Sequence, residues 1–173
     1  FMRGLGVVAA AAALTACSST NEAVNQALIE GAVGGIVATD CKIGRSRYWA
    51  ANATVPVNEI SFRIVMTNVS SKPVTLSGDN FATTLDGTPI PPFNFSARDV
   101  GDADIWRTYD SLTIRPGEER SVALAYEISQ PTYDSWYRSS RTVAVSFTCG
   151  NQRVTYTKNS RSDEITVSDI ETL

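Results

Sequence analysis

From about Lys42 onward, apolar residues recur at every second position. That spacing restricts the chain to β-strands with one buried face, because successive side chains of a strand point to opposite sides. Ile60, Phe62, Ile64 and Met66 alternate with Ser61, Arg63, Val65 and Thr67. Val122, Leu124, Tyr126 and Ile128 alternate with Ala123, Ala125 and Glu127. Val143, Val145 and Phe147 alternate with Ala144 and Ser146; Val154 and Tyr156, then Ile165 and Val167, repeat the pattern. Turn chemistry separates these runs at Ser70-Ser71-Lys72-Pro73, Asp86-Gly87, Arg115-Pro116-Gly117 and Cys149-Gly150-Asn151. The Gly150-Asn151 step predicts a tight hairpin. No long segment carries helical spacing. About seven to nine short strands predict an all-β antiparallel sandwich over residues 41–173.

The N-terminus is a different material. Arg3, a short apolar run from Leu5 to Leu14 and small residues after it have the layout of a secretory signal. The run is about ten residues long, whereas a spanning helix needs roughly 20. Leu14-Thr15-Ala16-Cys17 resembles the lipobox of bacterial lipoproteins. That resemblance implies removal of residues 1–16 as a signal peptide and acylation, palmitate included, of Cys17. Two or three acyl chains hold a protein firmly on a membrane where one does not. Ser18 rather than Asp at the second mature position implies the outer membrane. The expected location is therefore the cell envelope, lipid-anchored, facing the periplasm or the surface. The competing reading is an ordinary signal peptide with a chance cysteine. Residues 17–40 read as the lipidated N-terminus and a linker, with a polar tether at 18–21 and a glycine-rich break at 31–35.

Removal of 16 residues from 173 leaves 157, which suits one domain and a tether. Losing Arg3 changes 15 basic against 18 acidic residues to 14 against 18, a formal charge of −4. No basic footprint for nucleic acid is present. There are no histidines, which removes Ser–His and Cys–His nucleophilic pairs and His-ligated metals. No catalytic residue, metal or cofactor is expected. With Cys17 assigned to lipid, Cys41 and Cys149 are left, and an oxidising compartment favours a disulfide between them. The alternative is two free or metal-binding thiols.

Two long inter-strand segments are richer in aromatic residues than loops need be. Residues 91–110 hold Phe93, Phe95, Trp106 and Tyr109; residues 130–140 hold Tyr133, Trp136, Tyr137 and Arg138. Aromatic and arginine side chains concentrate at interface hot spots, so Trp106, Tyr109, Tyr133, Trp136, Tyr137 and Arg138 are the candidate partner-binding residues. The alternative is that the rings fold back over open ends of the sandwich. Asp99, Asp102 and Asp104, with Asp110 nearby, could hold calcium, but they lack the glycine and distal glutamate of a calcium loop.

Ser61-Phe-Arg-Ile-Val-Met-Thr-Asn68, the Lys72-Pro73 turn, Leu85-Asp86-Gly87-Thr88 and Arg115-Pro116-Gly117-Glu118 follow one another in order. The series resembles the telokin-like, immunoglobulin-fold domains of secreted bacterial proteins, over residues 58–129. The resemblance implies an immunoglobulin-like sandwich outside the cytoplasm and no reaction, since function lives in sites rather than folds. Here the hairpin lacks an extra acidic residue common in that family, and the insert before Pro116 is longer. The leading functional expectation is a membrane-anchored, non-catalytic protein-interaction module with an envelope protein as partner. The alternative is a lipoprotein that binds a glycan, lipid or calcium ligand.

Overall fold

The structure, a computed structural model, describes residues 31–49, 51–91, 94–100 and 106–173. Cys17, Phe93, Asp102 and Asp104 lie outside these residues. The described chain forms β1 (Ile36–Tyr48), β2 (Val57–Asn68), β3 (Val74–Leu76), β4 (Phe81–Leu85), β5 (Thr88–Ile90), β6 (Asn94–Asp99) and β7 (Arg107–Thr108). It continues through β8 (Leu112–Ile114), β9 (Glu119–Glu127), α1 (Gln130–Ser135), β10 (Thr142–Cys149), β11 (Gln152–Asn159), β12 (Ile165–Val167) and β13 (Glu171–Thr172).

Two sheets carry the fold. One runs β1-β2-β9-β6-β7; the other runs β12-β11-β10-β4-β5, with β13 also on β11. In immunoglobulin lettering, β1, β2, β9 and β6 stand where strands A, B, E and D stand, and β4, β10 and β11 stand for C, F and G. The expected antiparallel sandwich is therefore the fold observed. The strand count exceeds seven to nine because two- and three-residue pairings such as β5, β7, β12 and β13 leave too few residues to register a periodicity.

The alternating rows close on one another between the sheets. Ile60, Phe62, Ile64 and Met66 of β2 are fully buried, as are Val143, Val145 and Phe147 of β10. Phe81 stacks on Phe147 at 5.1 Å between ring centroids, and Phe62 meets Tyr156 at 5.4 Å across the interior. Burying each such ring stabilises the fold by roughly 2–3 kcal/mol before entropy is counted.

The turn residues act as their chemistry requires. Asp86 (φ 52°) and Gly87 (φ 80°) join Leu85 to its partner Thr88, the positive-φ pair of a two-residue hairpin. Gly150 (φ 62°) opens the equally short turn between Cys149 and Gln152.

Four expectations are corrected. The sandwich begins before residue 41: β1 starts at Ile36, and Val33, Ile36 and Ala38 are completely buried. The glycine run at 31–35 reads as linker, but Gly34 and Gly35 turn the chain inward against Cys149 and Ser70. Within the 91–110 segment, Asn94–Asp99 and Arg107–Thr108 pair as β6 and β7, and Phe95 belongs to the core. Finally, Cys41 and Cys149 are free, buried thiols, not a disulfide. Cys149 ends β10 with its Sγ 3.8 Å from the Gly34 carbonyl. Cys41 lies five residues beyond Ile36 along β1, on the order of 15 Å away at about 3.3 Å per residue. A disulfide spans at most about 7 Å between Cα atoms. Both cysteines occupy the core face, but at different heights in the sandwich.

Candidate interaction site

Strand β1 is the longest element and defines the two poles. Its first residues follow the Gly34–Gly35 turn; its last, Tyr48, reaches the far end. Thirteen residues of strand measure roughly 40 Å.

The near pole is a hydrogen-bonded knot built from the turn motifs. Asn68 is fully buried at the end of β2. Its amide nitrogen donates to the Lys72 and Ile114 carbonyls at 2.8 and 2.9 Å. Its amide oxygen accepts from the Ser70 backbone and hydroxyl. The Gly117 N–H donates to the Asn68 carbonyl, and the Asn68 N–H donates to the Glu118 carbonyl. Glu118 closes the Pro-Gly turn by accepting from the Arg115 N–H at 2.8 Å, the main reason its carboxyl is held below the usual range. The Thr-Asn and Pro-Gly-Glu motifs are thus two halves of one hydrogen-bonded structural cluster.

The far pole carries α1, the β1–β2 connection and the β4–β5 turn. Ser129 caps α1 by accepting from the Thr132 N–H, and Pro131 suits its first turn. Arg45 and Arg47 continue the inward row of β1 past Ile43, where α1 covers the open mouth. The Arg45 guanidinium stacks on Tyr133 at 4.2 Å and Tyr137 at 4.8 Å. Arg47 stacks on Tyr133 at 4.1 Å, donates to Asn58 at 2.7 Å and pairs with Asp134 at 3.2 Å. Arg45 also donates to the Tyr133 carbonyl. The Gln130 amide, then Arg47, hold the Asp134 carboxyl below its ordinary range. Arg161 donates to the Tyr137 and Arg138 carbonyls. The result is a rigid aromatic and guanidinium platform; cation–π contacts are attractive even at exposed sites.

Tyr137 of this platform is 60% exposed, and the β1–β2 connection at the same end exposes Trp49 at 66% and Val55 at 68%. Surface patches that combine aromatic rings and arginine are characteristic of contact surfaces.

The predicted residues divide. Tyr133, Tyr137 and Arg138 come together at the far pole. Trp136 does not join them: it is 2% exposed and fills the core under α1, so it is corrected from contact residue to core residue. Tyr109 packs against the core below β6, its N–H bonded to the Phe95 carbonyl. Trp106 lies on the outer face of the first sheet, its ring against Arg98 at 4.9 Å and Arg63 at 5.7 Å. Arg45, Arg47, Tyr48 and Trp49 escaped sequence reasoning; the dense Arg45–Trp49 run, Arg-Ser-Arg-Tyr-Trp, was the available signal. Asp99 pairs with Arg120, and no cluster of three or more metal-ligating side chains occurs among the described residues. No helix among them is long and apolar enough to cross a membrane.

No family model matches the chain, and no curated protein matches it. Among solved structures it is similar to an uncharacterized β-sandwich protein of Clostridium difficile 630, at 16% identity and a TM-score of 0.47 over 77% of this chain and 89% of that one. It is also similar to a lipoprotein candidate, ycdA of Bacillus subtilis, at 9% identity and a TM-score of 0.47 over 80% of this chain and 39% of that one. The yjhA protein of Bacillus subtilis aligns at 13% identity and a TM-score of 0.41 over 68% of this chain and 76% of that one. The fold assignment rests on the strand order itself.

Proposed function

We propose that the protein is a lipid-anchored envelope protein whose sandwich is a non-catalytic module for protein contact, with the far pole as its contact surface. One observation carries this reading. Strand β1 begins at Ile36, just past the buried Val33, at one pole and ends at the other, which carries the Tyr133–Tyr137–Arg138 platform and the exposed Trp49 and Val55. A module tethered through Cys17 presents that pole away from the bilayer. Tyr and Trp supply large contact area at low entropic cost, and Arg supplies directional hydrogen bonds.

The test combines anchor and pole. Cys17→Ala is expected to move the protein from the membrane to the soluble envelope fraction without changing its thermal melt. Tyr137→Ala with Trp49→Ala is expected to leave it on the membrane and remove the proteins chemically cross-linked to the wild type in intact cells. Cross-linked products unchanged by the pole variant contradict the contact surface. Membrane retention of Cys17→Ala contradicts the anchor.

A further inference from the structure

The end of β1 brings open main chain to the far pole. β1 is the edge of the first sheet, and among the described strands only β2 pairs with it. Register fixes which way its peptide groups point, because alternate residues of an antiparallel strand bond to opposite neighbours. The Ile128 N–H donates to the Asn58 carbonyl, so Asn58 and every second residue from it turn toward β9. Glu59 and Ser61 therefore bond to β1, where they oppose Ser46 and Gly44. The peptide groups of Ile43, Arg45 and Arg47 point the other way, to the free edge. At Ile43 that edge is closed: the residue is 1% exposed, and its carbonyl accepts from the buried Lys158 amine at 3.0 Å. Past Ile43 it is open. Among the described residues, no hydrogen bond reaches the outward N–H and C=O groups of Arg45 and Arg47. These groups lie beside the Tyr133 and Tyr137 rings, on which the Arg45 guanidinium stacks.

We infer that a partner protein docks on this pole by adding an extended segment as a further strand along Arg45–Arg47, with an apolar side chain of that segment against the exposed Tyr137 ring. The inference rests on the contact-surface reading above and specifies its mode. Outward N–H and C=O groups at strand spacing are complemented by another extended main chain. In such docking the main-chain bonds supply affinity and alternate side chains supply specificity. Proteins blunt the edges they do not use, with bulges and inward-pointing charges among other devices. Here the bulge between Thr39 and Lys42, then Lys158, close the edge as far as Ile43 and no further. The occupant is a different protein, not a second copy. Antiparallel self-pairing of this stretch sets the arginines of one copy opposite those of the other, and like charges directly opposite destabilise a strand pair.

The test places a photo-activated cross-linking residue at Val55 of the full-length chain in living cells and compares two substitutions at Arg47. Both remove the same guanidinium. Arg47→Pro also removes the outward N–H while leaving the β1–β2 ladder intact, and a strand edge tolerates proline. Arg47→Pro is expected to give at least about tenfold less adduct than Arg47→Ala. Arg45→Pro against Arg45→Ala repeats the comparison two residues along the edge. A proline variant whose thermal melt falls below that of its alanine counterpart leaves the other position to decide. Equal adduct from proline and alanine variants, high or low, overturns strand addition and leaves the contact pole standing. An adduct of twice the chain's own mass makes the occupant a second copy and overturns the assignment as well. No adduct from Val55 without either substitution removes the contact surface itself, and strand addition with it.

Discussion

Asn68 is buried, and all four hydrogen-bonding positions of its amide are filled. Replacing it with Ala strands the Ser70 N–H and two carbonyls, so Asn68→Ala should cost about 2–3 kcal/mol in urea unfolding. The glycines make a sharper comparison. At Gly34 (φ 57°) an added Cβ would sit 2.5 Å from the Cys149 Sγ, whereas at Gly44 it would meet nothing within 4 Å. Gly34→Ala should therefore cost at least about 2 kcal/mol, and Gly44→Ala should stay within about 0.5 kcal/mol. Sequence reading registered Asn68 only as the end of the Ser61–Asn68 motif. Its actual role depends on Lys72 and Ile114, and their convergence is a tertiary fact. The glycines of 31–35 misled for the same reason: a left-handed turn packed on Cys149 has the composition of a linker.

At the scale of elements, the buried row shared by the two sheets makes stability depend on pH at the alkaline extreme, and carboxylates in the turns make it depend on pH at the acid one. Burial raises the Cys41 and Cys149 thiols and the Tyr156 hydroxyl, and pushes the Tyr126 hydroxyl up to about 12. A folded pKa above the unfolded one contributes stability that is intact below the unfolded value and is lost as pH rises through the folded one. Unfolding should therefore become easier from about pH 8.5 upward, where thiols and then tyrosines ionise in the unfolded chain. Lys158 acts in the opposite sense: burial lowers it, so its contribution improves with rising pH, but it is one group against four. Tyr156→Phe removes a buried hydroxyl that has no hydrogen-bond partner among the described residues. It should raise stability by about 1 kcal/mol at pH 7 and blunt the alkaline loss. On the acid side, the Thr142 N–H, then Arg141, hold Asp86 low, as the Arg115 N–H holds Glu118. Stability from these carboxylates is present above the ordinary carboxylate range and declines as pH falls through it. Thermal melts from pH 3 to 10 check both limbs. The alternating strands were legible because burial on one face writes period two into the sequence. Two-residue ribbons were not, because cross-strand register brings their residues together.

At the scale of the molecule, the arrangement is a long sandwich with structural motifs at the pole where the chain enters and aromatic and guanidinium groups at the other. Sequence reading selected Tyr133, Tyr137 and Arg138 but could not separate them from Trp136, which follows the same composition yet turns under α1. Period-free aromatic segments give no orientation until α1 fixes one face. The direct test of the contact pole is a photo-activated cross-linking residue placed at one surface position at a time in living cells. Tyr137 and Val55 sample the far pole, and the equally exposed Val69 and Leu173 sample the near one. A discrete protein adduct is expected from Tyr137 and Val55 and none from Val69 or Leu173. Adducts from the near pole alone, or from all four positions alike, would contradict the contact pole.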